Sequence, residues 1–398
     1  MSDTQKHTKP NVPNLRFPGF EGEWKESCIG AEFELYSGNT PSRLDKNNFT
    51  GDVCWVTSGE LKEHYIEDTK EKISQKAAHE NNLRLLPTGT FVIAIYGLEA
   101  EGVRGTGSII THEATISQAC MAFSSKGNVS NEFLYSWYKK HGDIIGVTYA
   151  QGTKQQNLSY DIIERLKVHY PSKIEQHKLT AFITLIDERI AIQNKVIEDL
   201  KKLKTALCEH LYNETNPNCR IGDIVEQSSV RNRAKNALTV LSVSNRYGFI
   251  AQAEQFEERS IASEDTTNYK VVSLNDFAYN PARINVGSIA RLKSYDKGIV
   301  SPMYICFRCK DGTYPEFLEH FFSTKSFSLE MEKRLEGSVR MCLSYEGLCN
   351  IQIFLPPLVQ QKSISEKISA LNRKVQLEEN YLYALINQKQ YLLSKLFI

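Results

Sequence analysis

The sequence lacks any apolar run approaching the roughly 18 residues needed to cross a bilayer. Its start, MSDTQKHTKP, also lacks the apolar core of a secretory signal. Both absences predict an intracellular, cytoplasmic chain. There is little excess charge: 48 Lys and Arg stand against 47 Asp and Glu, a net charge of +1. That balance argues against non-specific coating of nucleic acid but leaves room for a local basic groove. Cysteine is sparse and unpaired in pattern. Nine residues at irregular spacing read as reduced thiols, not as a disulfide framework.

The motifs of common catalytic sites are missing too. GLEAEG (Gly97 to Gly102) runs on into Val103, so it is not a phosphate-binding loop of the G-x-x-x-x-G-K-[ST] kind. His112-Glu113 continues as ATIS and not as a zinc-binding H-E-x-x-H. CFRC (Cys306 to Cys309) is a lone C-x-x-C within an apolar run and reads as a buried strand. An adenine methylase needs Asn/Asp-Pro-Pro-aromatic to grip a flipped base, whereas Asn280-Pro281 continues as Ala282-Arg283. No catalytic residue, metal ligand or cofactor site is assigned.

A repeat is present. QGTKQQNLSYD (Gln151 to Asp161) is echoed by EGSVRMCLSYE (Glu336 to Glu346), with Leu158 and Leu343 185 positions apart. At the same offset Leu166, Val168, Pro171 and Gln176 face Ile351, Ile353, Pro356 and Gln361. Upstream, EFL at Glu132 recurs at Glu316, TISQACMAF (Thr115 to Phe123) faces IVSPMYICF (Ile299 to Phe307), and GSI at Gly107 recurs at Gly287. The fronts of the two halves, Arg43 to Lys76 and Arg231 to Lys270, share little beyond polar, turn-rich character. One architecture thus occurs twice, alike at its ends and different at its front.

Each copy ends in a stretch free of proline and glycine, Ser172 to about Asn213 and Leu358 to Ile398. Ile183, Ile186, Ile190, Ile197, Leu200, Leu207 and Leu211 are spaced as a helical seam. Ile368, Leu371, Val375, Leu382, Leu385, Leu392 and Leu396 repeat it in the same register, and Lys204 and Lys389 share its one matching basic position. Helices of this length extend about 60 Å, more than one small domain covers. Each is therefore expected to pack on the other, antiparallel, as a coiled-coil spacer. Short β-rich segments such as TFVIAIYG, DVCWVTS and PMYICFR alternate with polar loops and helical pieces such as NEFLYSWYKKHG.

The expected fold class is α+β. It comprises an arm (1–20), a first module (21–170), a central helix (171–213), a second module (214–355) and a C-terminal helix (356–398), related by a pseudo-two-fold. NETNPNCR (Asn213 to Arg220) links the halves.

Candidate DNA contacts cluster in turn-rich parts of both copies. The first offers Arg43, Lys46, Arg84, Arg104, Lys154, Gln155 and Gln156. The second offers Arg231, Arg233, Lys235, Asn245, Arg246, Tyr247, Arg283, Asn285, Arg291, Lys293 and Lys297. Arg grips guanine with two donors, Asn and Gln suit adenine, and Lys suits phosphate. Any one of them alone is an ordinary surface residue; as clusters they favour a nucleic-acid surface.

This layout resembles the specificity subunit of type I restriction–modification enzymes. The opening NLRFPGFEGEW, the GT…LSYD and GS…LSYE segments, and the P…EQ and P…QQ helix starts carry the resemblance from about Asn14 to Ile398. The opening is most similar to staphylococcal or related Gram-positive members. The resemblance implies two target-recognition domains, each reading half of a split, asymmetric DNA site, with the helices as a ruler. It implies no catalysis by this chain. Two methyltransferase subunits would carry S-adenosylmethionine and methylate adenine, and two ATP-driven restriction subunits would join through them. Two alternatives remain open: a standalone pseudo-dimeric DNA-binding regulator, and a transferase whose cofactor site the sequence does not display.

Overall fold

The computed structural model describes residues 11–100, 102–152, 154–213, 216–233, 238–245, 247–252, 265–337 and 340–398. The chain divides into two compact units, Met1–Asn194 with Tyr381–Ile398, and Lys195–Asn380. Each contains one mixed module and parts of both long helices.

The first unit opens with β1 (Lys25–Cys28), α1 (Ile29–Glu32) and β2 (Phe33–Ser37). Then come β3 (Val53–Val56), β4 (Tyr65–Ile66), β5 (Lys72–Ile73), α2 (Gln75–Glu80), β6 (Phe91–Ala94), β7 (Gly107–Ile110), β8 (Thr115–Ile116) and β9 (Cys120–Ser125). The module closes with α3 (Asn131–Tyr149), α4 (Tyr160–Arg165) and β10 (Lys167–Tyr170), which pairs back with β1. Its main sheet has the order β2-β9-β6-β7-β4, and a smaller sheet the order β5-β3-β8. β6 reads FVIA and is buried at every position, as an unbroken apolar run in a central strand covered on both faces should be. One cover is α3, whose Phe133, Leu134, Trp137, Tyr138 and Ile145 are buried. Ser130 caps that helix by accepting from Phe133 N at 3.2 Å.

The second unit repeats this frame. It runs β11 (Cys219–Arg220), α6 (Ile221–Ile224), β12 (Val225–Ser228), β13 (Val240–Ser244), β14 (Gly248–Ala251), β15 (Lys270–Ser273), β16 (Phe277–Tyr279), β17 (Ile289–Arg291), β18 (Lys297–Val300) and β19 (Ile305–Cys309). α7 (Pro315–Phe321), α8 (Lys325–Glu332), α9 (Tyr345–Cys349) and β20 (Gln352–Ile353) follow. The sheet order β12-β19-β16-β17 matches β2-β9-β6-β7 strand for strand. Leu35 sits opposite Phe123, and Gln227 opposite Phe307. Ile29 N donates to Leu166 O, and Ile221 N to Ile351 O, both at 2.9 Å. The fronts diverge: β5-β3-β8 in one unit stands against β14-β13-β18-β15 in the other. The fold class is α+β, and most strand pairs are antiparallel.

The repeated LSY[DE] segments have a local explanation. Gln151 bridges Asn157 and Glu336 bridges Cys342, closing a tight loop in each copy. Gly152 (φ +107°) and Gly337 (φ +124°) begin these loops, and a Cβ there would lie 2.1 and 2.3 Å from the carbonyl oxygens of Gln155 and Arg340. No side chain fits. Leu158 and Leu343 then turn inward to the core. The following serine ends the loop at a short helix, and Ser344 accepts from Gly347 N at 3.0 Å. Asp161 and Glu346 occupy the first turns of those helices, where an acid complements the helix dipole.

α5 (Lys173–Asn213) and α10 (Leu358–Leu396) are the two long helices. The core of the first unit contains Leu179 and Ile183 from the start of α5, Leu393 and Leu396 from the end of α10, and Phe397 just beyond it. The core of the second contains Ile368 from α10 and Cys208 and Tyr212 from the end of α5. Each module is thus closed by the start of its own helix and the end of the other copy's helix. Phe397 stacks on Phe133 with ring centres 5.3 Å apart; Tyr212 stacks on Phe317 at 4.8 Å. In the first unit the ion pair Asp187–Lys389 and the contact of Arg189 with Tyr381 show the helix segments to be antiparallel. In the second unit Lys201 and Glu379 pair at 2.6 Å.

Within the arm, Arg16 forms an ion pair with buried Glu175 at 2.7 Å, Leu15 N donates to Lys395 O at 3.0 Å, and Phe17 packs on Phe182. Among the described residues no helix is long and apolar enough to cross a membrane.

Candidate nucleic-acid interface

In the first unit the predicted contacts fall in two places. Arg43 stacks over Phe49 and Trp55 and donates both guanidinium edges to Glu71 at 2.8 Å. That carboxylate raises the arginine pKa further. Lys46 is exposed at the start of a 3-10 turn just beyond it. The second place is the turn at residues 97–99. Arg104 Nε donates to Leu98 O at 2.8 Å, and its stem packs against Gly146 of α3. Leu98 N donates to Gln156 O at 3.2 Å, while Gln156 N donates to Glu99 at 2.8 Å. Lys154 and Gln155 are exposed at the tip of the same loop. The fold therefore gathers Arg104 with Lys154, Gln155 and Gln156, and holds Arg43 with Lys46 apart from them. Arg84, another candidate, pairs with Glu34 at 2.7 Å.

In the second unit a cavity of about 440 Å³ brings together Asn245, Tyr247, Phe277, Arg291, Lys293 and Glu319. Arg291 Nε and Lys293 Nζ both donate to Glu319, at 2.8 and 2.7 Å, and Arg291 Nη1 donates to Asn275 at 2.7 Å. With its side chain 12% exposed, Arg291 is committed to these partners. A guanine edge would have to displace Glu319 and Asn275 to take its donors. Arg283 and Asn285 are exposed on a 3-10 turn that leads to Gly287, close to Asn245. Arg231 and Arg233 sit elsewhere, beside the bridge from Arg231 to Lys270; Arg231 Nη1 donates to Asn268 at 2.8 Å. Lys235 and Arg246 lie outside the described residues.

The seam positions on the long helices are all buried or half-buried. In the first unit these are Ile183, Ile186, Ile190, Leu382, Leu385 and Leu392; in the second, Ile197, Leu200, Leu207, Ile368, Leu371 and Val375. Leu185, Ile192, Leu203 and Leu377, off the seam, are exposed.

One cluster escaped the sequence reading. In the first unit a cavity of about 880 Å³ is lined by His64, Tyr65, Tyr135, Lys139, Asp187 and Lys389, among others. The His64 ring lies between Tyr65 and Tyr135, 4.0 Å from each. Its Nε2 is 2.9 Å from Glu132, and its Nδ1 is 3.5 Å from Asp187. Burial, reinforced by Lys389, depresses Lys139 to about 8. These residues come from four separate segments and share no spacing, so no sequence signal could have joined them.

CFRC is β19 as expected. Cys306 is fully buried, and burial pushes its thiol up to about 12. All nine cysteines are free. Among the described residues no three His, Cys, Asp or Glu side chains converge as a metal site.

Residues 21–202 match the family described as Type I restriction modification DNA specificity domain. The MjaIX specificity subunit of a type I restriction enzyme from Methanocaldococcus jannaschii is 26% identical over 204 residues, 49% of this chain and 45% of that protein. The match thus spans about half the length of that relative. The MjaVIII specificity subunit from the same organism is 21% identical over 392 residues, 89% of this chain and 88% of its own. The fold also matches the S subunit of a type I system from M. genitalium. Its TM-score is 0.60 at 16% identity, over 97% of this chain and 99% of that one. A chain from a structural study of type I complex assembly and conformational transition gives 0.59 at 15%, with the same coverage. Residues 21–202 thus match a type I DNA specificity domain, and the chain as a whole is similar in sequence and fold to specificity subunits of type I restriction–modification systems.

Proposed function

We propose that this chain reads a bipartite, asymmetric DNA sequence, one half-site per module, and that the long helices set the unread gap. The observation that carries the reading is one frame bearing two different fronts: matching sheets β2-β9-β6-β7 and β12-β19-β16-β17, with β5-β3-β8 on one and β14-β13-β18-β15 on the other. A conserved support with divergent readers suits two different half-sites. The chain itself carries out no chemistry in this reading. It recruits two methyltransferase subunits, which supply S-adenosylmethionine, and through them two ATP-driven restriction subunits. The exposed Leu185 and Ile192 in the first unit, and Leu203 and Leu377 in the second, support docking of such partners on the helices.

Methylome sequencing of cells that express the chain with its methyltransferase subunits tests the proposal. A split, non-palindromic motif is expected. Exchanging residues up to about Pro171 for those of another family member should change one half-site; if both change together, the two-reader proposal fails. Four residues inserted after Leu200 add about 6 Å of helix. The spacer should then grow by one or two base pairs, with both half-sites intact. An unchanged spacer in an active complex would assign the ruler to the partner subunits. DNA binding by the chain alone, with no gain from methyltransferase subunits, would favour the standalone regulator.

A further inference from the structure

Gln176 and Gln361 are the two residues of the repeat that the recognition surface leaves unexplained. Each lies in the first turn of a long helix and is almost fully buried. Gln176 Nε2 donates to Pro171 O and to Asn128 O, both at 3.0 Å, and its Oε1 accepts from Ser130 N at 3.0 Å. Gln361 Nε2 donates to Pro356 O at 2.8 Å and to Gly312 O at 3.0 Å, and its Oε1 accepts from Tyr314 N at 2.7 Å. The same three bonds thus form in both units, although Asn128 has become Gly312 and Ser130 has become Tyr314. Every partner is a main-chain group, so the bonding outlasts changes in the side chains around it.

Apolar packing at the base of a module is non-directional and leaves its tilt weakly specified. A planar amide with three bonds to two segments fixes both distance and angle, because each donor and acceptor has a preferred direction. One segment is the corner where β10 or β20 gives way to the helix. The other leads into α3 or α7, which cover the main sheet of each module. We infer that Gln176 and Gln361 are positioning residues that set the angle of each module on its helix and thereby sharpen selectivity for spacer length. This inference rests on the bipartite reading proposed above. A module of about 150 residues has a radius of about 19 Å. A tilt of only about 5° about its base then moves its outer face, about 38 Å away, by about 3.4 Å, one base-pair step.

The test uses the full chain assembled with its methyltransferase subunits and the variants Gln176→Asn, Gln361→Asn and Gln176→Glu. Asn keeps the amide but shortens its reach by one carbon; Glu keeps the acceptor but turns a carboxylate toward two carbonyls. Both half-sites should remain as in the wild type. Methylation at sites with spacers one base pair longer or shorter should rise about fivefold relative to the cognate site, the ratio that matches the net loss of one hydrogen bond. Hydrogen exchange at Ser130 and Tyr314 in the free chain reports whether the clamp has opened. An open clamp with unchanged spacer selectivity overturns the inference, as does a changed base preference. Loss of protection throughout the module in every variant would reduce the glutamines to structural residues and also overturn it. A wild-type motif that is not split would instead refute the bipartite reading, and exchange at Ser130 and Tyr314 would still report on the clamp.

Discussion

The two modules share a frame but differ in how it meets the long helices. In the first unit Glu132, on α3, faces His64 and Tyr65, and Asp187 on α5 pairs with Lys389 on α10. In the second, the corresponding Glu316 accepts from the hydroxyl of Ser369 on α10, and Asn372 stands at the position of Asp187. Lys139 likewise gives way to Ser323. One copy makes this joint with a histidine and a lysine–aspartate pair around a cavity, the other by seating the equivalent glutamate on a serine hydroxyl. Main-chain bonds and apolar packing tolerate drift in sequence and have stayed alike. Charges near the joint are tied to the side chains of one copy, and they have diverged.

The sharpest way to break the comparison is at the aromatic side chains that close the cores. Phe397 is almost fully buried against Phe133 and Trp24. Phe397→Ala should cost about 3–5 kcal/mol. Exchange protection should fall in the first module, although Phe397 lies some 260 residues from Phe133 in sequence, and hold in the second. Protection lost in the second module alone would refute the assignment of this side chain to the first core.

Next in size are the paired glycines. Gly152→Ala and Gly337→Ala each force a side chain into a positive-φ position against a carbonyl oxygen. A penalty of about 1–3 kcal/mol is expected for each. Denaturant titrations should give similar values for both if the loops are truly equivalent, and a large cost in one copy alone would show that they are not.

A smaller effect separates the units by pH. Lys139 titrates near 8 when folded, below the about 10.4 of an unfolded lysine. The unfolded chain therefore binds more protons between these values, and this residue makes stability rise with pH across that window. Lys139→Met should stabilise the first unit at pH 7, with the advantage fading toward pH 10. Melting temperatures at the two pH values would show it, and an equal gain at both would point to packing instead of charge. Smallest of all, Tyr212→Phe removes the 2.6 Å hydrogen bond to Phe317 O and makes the second unit resemble the first, where Phe397 has no hydroxyl. A loss of about 1 kcal/mol, read by denaturation, is expected.

Much of the frame was legible before folding. The offset of 185 between Leu158 and Leu343 anticipated the matched loops, and the absence of proline and glycine anticipated both long helices. The strand readings at TFVIAIYG, DVCWVTS and PMYICFR became β6, β3 and β19. The candidate contacts were legible only as residue types. Nothing in the sequence said that Arg43 lies on Glu71, that Arg291 lies on Glu319, or that Arg104 bonds the turn at Leu98.

The sequence by itself determined the periodic and repeated features: seam spacing, loop glycines, the apolar strands and the capping serines. Each depends on neighbours a few positions away, or on a pattern that a second copy makes visible. Tertiary structure alone decided which ends meet. Phe397 closes a core built from residues 24–183, and His64 meets Glu132, Asp187 and Lys389, because long-range packing joins segments with no shared spacing. It also decided which arginines are already paired within the fold. That depends on carboxylates brought close by the sheet and helices, and distance in space leaves no mark on the order of residues.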